Sequence, residues 1–171
     1  VNDRIGIIVY AGKAYAQLPL TTDYTAAKMF LRTINTDMVP TQGTDIGNAV
    51  EMALSYFETG KEQNRVLFIL SDGESHEEGA LEASELASEN GILIHAIGLG
   101  TLDGGPIPIK RNGVIKGYKK DNEDKVVVTK MDPAMLQQLA LSTEGNFIDG
   151  MNTKETIEFI KSSIGKMEQV E

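Results

Sequence analysis

Short apolar runs alternate with helical patterns along nearly the whole of this 171-residue chain. Apolar runs that predict buried strands lie at residues 5–10, 66–70, 92–99 and 145–148, and a shorter one at 14–18 ends at Pro19, which suits an edge strand. Apolar residues repeat with the spacing of a helix in five segments. One covers about 24–34, and the others begin at about 45, at about 75, at Pro133 and after Asn152. This alternation predicts an α/β fold, a mostly parallel sheet with helices on both faces.

One segment interrupts the alternation. Residues 104–129 contain no helical pattern, and they carry Asn112-Gly113 between short apolar runs, which is a strong hairpin signal. A polar stretch at 119–125 precedes Val126, Val127 and Val128, where a third short strand is an option. We therefore predict a single domain over residues 1–171 with a β-hairpin insertion at 104–129.

Charge and composition exclude several classes of function. The net charge of -9 and a pI near 4.8 argue against nucleic acid as a partner, because phosphate binding needs clustered Lys and Arg. The same charge argues against direct contact with an anionic membrane surface. The chain has no Cys, which excludes disulfides and thiolate metal sites, and 41% apolar residues fit an ordinary globular domain.

Oxygen-bearing residues follow one predicted strand and precede one predicted helix. The strand at 66–70 runs into Asp72-Gly73-Glu74, and Gly43-Thr44 lies just before the second helix. In a parallel sheet both positions belong to the edge at the carboxyl ends of the strands, where ligands bind. A carboxylate from Asp72 and a hydroxyl from Thr44 are ligands that a hard cation such as Mg²⁺ prefers.

These two runs carry a family resemblance. Residues 42–47 (QGTDIG) and 70–74 (LSDGE) resemble the second and third parts of the metal-ion-dependent adhesion site of von Willebrand factor A domains. The insertion at 104–129 resembles a narrower group, the bacterial aerotolerance-type (Bat) membrane proteins. The resemblance implies one antiparallel edge strand, Mg²⁺ or Mn²⁺ at the top of the sheet, and a protein partner whose acidic residue completes the metal shell.

The first part of the family motif, Asp-x-Ser-x-Ser, is not found in the chain. The start at Val1, inside a strand-like run, is interpreted as the cut end of a longer protein, with the central strand and the remaining metal ligands upstream. Cation binding is therefore predicted for the intact domain. A gap in the sheet between the strand at Ile5 and the strand at Val66 predicts rearrangement, or strand exchange with another copy of the chain.

Each singled-out residue also has an ordinary explanation. Thr44 could cap the following helix, and Asp72-Gly73 could be a plain turn. Glu74 is expected to be a solvated charge at the start of a helix, for which Ser75 and Glu78 have capping-box spacing. His95, in the middle of an apolar strand, is expected to be packed in the core rather than to bind a ligand.

The predicted function is binding, not catalysis. The domain is expected to hold a protein partner through the cation, as part of a bacterial cell-envelope complex whose parent protein is membrane-anchored. Two alternatives stay open at this point. One is a metal-free scaffold domain, and the other is a metal-assisted α/β hydrolase, against which stands the lack of a Walker loop or nucleophile elbow.

Overall fold

The computed structural model describes residues 3–36, 38–41, 43–57, 64–74, 79–121 and 123–167. The chain divides into two compact units. The first comprises residues 1–67, 75–95 and 138–146, and the second comprises residues 68–74, 96–137 and 147–171. Helices and strands alternate through both, so the predicted α/β class is confirmed.

The first unit opens with an antiparallel pair, β1 (Ile5–Tyr10) and β2 (Ala14–Thr21). Tyr10 lies opposite Ala14, and the register shifts on both sides of Ile7. Pro19 falls in the irregular half of β2, as expected for a residue that has no backbone donor for a regular ladder. The two strands form a sheet of their own.

Helices α1 (Tyr24–Thr33) and α2 (Ile46–Tyr56) follow in the same unit. The Asp23 carboxylate caps α1 by accepting from the backbone N–H groups of Thr25 and Ala26. Helix α2 ends at Tyr56, and Phe57 is its C-cap. The α2 face toward the core consists of small and branched side chains, namely Ile46, Ala49, Val50 and Ala53.

Helix α3 (Ala80–Glu89) packs against α2. A Cβ on Gly47 of α2 would lie 3.1 Å from the carbonyl carbon and oxygen of Gly79, so only glycine allows this close approach without adjustment. The predicted capping residues Ser75 and Glu78 lie outside the described residues. The N-cap of α3 is Gly79, which makes no side-chain capping bond.

Three strands form a second sheet in the order β3 (Arg65–Ser71), β4 (Ile92–Gly98) and β9 (Phe147–Asp149). β4 and β9 run parallel, as the alternating pattern predicts. Helix α4 (Pro133–Leu141) precedes β9, and Asp132 caps it by accepting from the N–H groups of Ala134 and Met135. His95 is 3% exposed and its Nδ1 accepts from Asn146 N, which confirms a packed core histidine.

The insertion belongs to the second unit. Strands β6 (Pro108–Arg111) and β7 (Val114–Tyr118) form the predicted hairpin around Asn112-Gly113, where both residues have positive φ angles. Short strands β5 (Gly105–Pro106) and β8 (Val128–Thr129) pair at its base. The optional third strand of the prediction is therefore present, although it is only two residues long.

The last helix, α5 (Thr153–Met167), begins after Asn152. Asn152 accepts from Glu155 N and donates to the Glu155 carboxylate, and these two bonds cap the start of the helix. Within the part of the chain that the structure describes, no helix combines the length and apolar character of a membrane span.

Candidate functional site

In the first unit, backbone bonds to the β1–β2 turn position the loop that carries Thr44. Asp45 N donates to Ala11 O at 2.7 Å, and Gly12 N donates to Thr41 O at 3.1 Å. Asn48, in the first turn of α2, accepts from Ala14 N at 2.8 Å. The loop and the start of α2 are therefore fastened to the strand pair at several points.

Gly43 has a backbone conformation that explains its position in this loop. Its φ is +128°, and a Cβ there would lie 3.1 Å from the Cα of Gly12, so any side chain would be strained and crowded. Thr44 follows as a half-buried residue. The capping role considered for Thr44 belongs to Asp45, whose carboxylate accepts from Asn48 N at 2.8 Å.

In the second unit, Asp72 lies where β3 ends, in a turn that is bonded on several sides. Ser71 O accepts from Leu99 N at 2.8 Å, Ser71 Oγ accepts from Gly73 N at 3.0 Å, and Asp72 O accepts from Asp132 N at 2.7 Å. Gly73 has a φ of +79°, and a Cβ there would collide with Asp132 O. The turn is therefore more than a plain connection, because it packs against the residue that caps α4.

The carboxylates of Asp72 and Glu74 meet at the hydroxyl of Thr129. Thr129 Oγ1 lies 2.9 Å from Asp72 Oδ2 and 3.1 Å from Glu74 Oε2. The other Glu74 oxygen accepts from Lys130 N at 2.9 Å, and Asp72 Oδ1 accepts from Glu74 N at 3.2 Å. A threonine hydroxyl has one hydrogen to donate, so it serves only one carboxylate at a time.

The interpretation of Glu74 as a solvated charge was wrong. Its side chain turns back to β8 and the residue after it, because backbone and hydroxyl donors are available there. Sequence reasoning also missed Thr129 and Lys130, which lie 55 and 56 residues from Glu74. No local pattern marks such a contact, since it depends on how the insertion returns to the end of β3.

Replacing Thr129 by valine tests the hydroxyl bridge. The substitution keeps the shape of the side chain but leaves the half-buried carboxylates of Asp72 and Glu74 without this donor. We expect a loss of about 1–2 kcal/mol in the free energy of unfolding, measured by urea denaturation. Thr129→Ser keeps the hydroxyl and should lose less than half as much. Equal stability of the valine variant and the wild type would contradict the bridge.

The donor set at this turn suits a hard divalent cation in chemical type. Its described residues offer carboxylate and hydroxyl oxygens, the ligand type typical of Mg²⁺ and Mn²⁺ sites. Among the described residues no three His, Asp or Glu side chains form a ready metal cluster. The residues at this turn therefore fit a cation site with one or two protein carboxylates. The other ligands of the cation would be oxygens from elsewhere.

Thr44 lies in the first unit and Asp72 in the second. The structure accounts for each residue within its own unit, with Thr44 held beside the β1–β2 turn and Asp72 beside the start of α4. Their convergence on one cation stays a prediction.

Known proteins share this architecture. The sequence profile of the von Willebrand factor type A domain matches residues 1–157. The crystal structure of BatB, a conserved hypothetical protein from Bacteroides thetaiotaomicron, superposes with a TM-score of 0.91 at 38% identity, covering 99% of this chain and 81% of that one. An aerotolerance-related membrane protein from Bacteroides fragilis gives 0.88 at 39% identity, covering 98% and 81%.

More distant matches share less. Proximal thread matrix protein 1 from mussel byssus, solved with zinc in its metal-ion-dependent adhesion site, has a TM-score of 0.65 at 20% identity over 94% of this chain and 34% of that one, which shows a common fold. The chain spans 48% of an uncharacterized Borreliella burgdorferi protein that is 27% identical over 99% of this chain. The profile match and the two Bacteroides structures agree, and this chain belongs to the von Willebrand factor type A domain family.

Proposed function

We propose that this domain is a protein-interaction module that binds its partner through a divalent cation. Asp72 supplies a carboxylate ligand and Thr44 a hydroxyl ligand, and an acidic residue of the partner completes the shell of Mg²⁺ or Mn²⁺. The role is coordination, and no catalytic step is proposed. The parent protein is proposed to be membrane-anchored in a bacterial envelope complex, as the aerotolerance-related membrane protein of Bacteroides fragilis suggests.

The observation that carries this proposal is the held carboxylate at the end of β3. Asp72 is fixed by a backbone bond to Asp132 N, by Glu74 N and by the Thr129 hydroxyl. A ligand held in this way needs little reordering when a cation binds, which favours affinity. Membership of a family whose domains usually use a divalent cation at this position supports the same role.

A metal titration of the full-length protein tests the proposal. Calorimetry with Mn²⁺, and separately with Mg²⁺, is expected to give saturable binding, and EDTA is expected to release a partner that co-purifies with the protein. Ca²⁺ at the same concentration is the comparison for metal preference. No heat with either metal, together with partner binding that survives EDTA, would favour the scaffold alternative. Turnover of phosphate esters that requires Mg²⁺ and Asp72 would favour the hydrolase.

A further inference from the structure

The hairpin of β6 and β7 has a surface unlike the rest of this acidic chain. Its eleven residues include Lys110, Arg111 and Lys116 and no acidic residue, whereas the chain as a whole carries a net charge of -9. Apolar side chains accompany these cations: Ile109 is 48% exposed, Val114 56% and Ile115 51%. Ile115 lies opposite Lys110, on the other face of the hairpin from Ile109, so Ile109 and Val114 are the exposed apolar side chains on the face of Arg111.

A groove on this hairpin brings both features together. It has a volume of about 320 Å³ and is lined by Ile109, Arg111, Lys116 and Gly117. The register shift between Ile109 and Lys110 makes Lys116 an extra residue in β7, between Gly117, which lies opposite Ile109, and Ile115, which lies opposite Lys110. Gly117 has no side chain, and nothing lies within 4 Å of a Cβ built on it. The space at this point of the groove is therefore empty.

Among the described residues, the cations of the hairpin differ from the lysines that follow it, which form ion pairs. Lys120 pairs with Asp124 at 3.0 Å, and Lys125 pairs with Glu123 at 2.7 Å. No ion pair within the described residues involves Arg111 or Lys116. Within the described residues, the groove is therefore positive and partly apolar, with no ion pair that compensates its charge.

We propose that this groove docks an extended segment of another protein that combines acidic and apolar side chains. Arg111 can hold a carboxylate through two parallel N–H donors, and Lys116 adds a second positive charge. An apolar side chain of the segment then covers Ile109 above Gly117. This surface is separate from the residues proposed to bind the cation, so docking should persist in EDTA.

Charge argues against the two other occupants. An anionic membrane presents a broad negative surface to the whole chain, whose net charge is -9, whereas a short segment meets only the hairpin. The turn that would enter a membrane first is also polar, namely Asn112-Gly113. A second copy of the chain carries the same net negative charge, which opposes self-association at low salt. A short acidic segment is attracted by the positive charge of the hairpin, and it does not bring the large net negative charge of a second copy.

The test selects ligands from a random linear peptide library displayed on phage, using the full chain as bait. Enriched peptides should combine Asp or Glu with apolar residues, and their affinity, measured by fluorescence anisotropy in EDTA, should fall as salt rises. The variant Arg111→Glu/Lys116→Glu should lose at least about tenfold in affinity, as expected for losing charge-assisted hydrogen bonds. Lys154→Glu/Lys161→Glu makes the same change of net charge on α5 and should lose less than threefold.

A second variant separates shape from charge. Gly117→Val fills the groove with a residue favoured in strands, and nothing within 4 Å of its Cβ opposes it. It should fold normally by circular dichroism and still lose at least about tenfold in peptide affinity.

Four results would overturn the proposal. The first is enrichment without an acidic excess, and the second is unchanged affinity in both groove variants. The third is binding to phosphatidylglycerol vesicles that Arg111→Glu/Lys116→Glu abolishes while no peptide is enriched. The fourth is self-association in sedimentation that the same variant abolishes, which would make a second copy the occupant.

Discussion

Replacing Asp72 by alanine in the full-length protein is expected to lower affinity for Mn²⁺ by more than about 100-fold. The reason is that Asp72 is the proposed carboxylate ligand, and even the loss of an outer partner of a metal ligand costs about 10–100-fold. The fold should survive, because Thr129 keeps Glu74 as an acceptor and the backbone bond from Asp132 N to Asp72 O does not need the side chain. Calorimetry on the purified protein measures the affinity.

Three further variants sharpen the interpretation of this result. Asp72→Asn keeps the size and removes the charge, so it should behave as the alanine variant does. Thr129→Val should lose about tenfold, because it removes the hydroxyl that orients the ligand while leaving the carboxylate in place. Asp103→Ala removes an exposed carboxylate from the same unit and should bind as the wild type does. Wild-type affinity in the Asp72 variants would reject this residue as a ligand.

Gly145→Ala is expected to destabilise the chain by about 3 kcal/mol or more. A Cβ at this position would collide with the carbonyl oxygen of Ile94 and would lie 3.2 Å from Ala140 O. Both neighbours are backbone atoms, so no side chain can swing aside. Ile94 cannot retreat easily, since its N–H donates to Thr143 Oγ1 at 2.8 Å. Urea denaturation followed by circular dichroism gives the free energy of unfolding.

Gly165→Ala is the matched control for this prediction. Gly165 lies inside α5, and nothing lies within 4 Å of a Cβ placed there. Alanine in a helix interior is favoured over glycine by about 0.5–1 kcal/mol, so this variant should be slightly more stable than the wild type. A loss below 1 kcal/mol in Gly145→Ala would show that β4 and the end of α4 can move apart, contrary to the close contact described.

Most local features of the fold could be predicted from short stretches of sequence. The helices predicted at about 24–34, from Pro133 and after Asn152 are present, and Asp23, Asp132 and Asn152 cap them. Asn112-Gly113 makes the expected turn of the hairpin. These features depend on interactions within about four residues, and a short run of sequence contains all the groups involved.

At the candidate site, the position of Asp72 could be predicted from the sequence, but the contacts of the neighbouring polar side chains could not. Asp72 lies at the end of a strand, as expected, but the surroundings of its carboxylate could not be foreseen. Glu74 was assigned to solvent and instead shares the Thr129 hydroxyl with Asp72. Thr44 was considered as a helix cap, although the neighbouring Asp45 has the geometry for that role. In both cases the outcome depends on bonds to a distant segment, to Thr129 and Lys130 for Glu74 and to Ala11 for the backbone of Asp45.

The sequence by itself determined the alternation of strands and helices, the ends of several helices and the family, because periodicity, caps and motif runs are local properties of the chain. Only the tertiary structure decided that Glu74 and Thr129 meet across 55 residues, and that Gly145 leaves no room beside Ile94. Contacts of this kind depend on how whole elements dock. The free energy of docking is a sum over many side chains, so no single residue carries the signal.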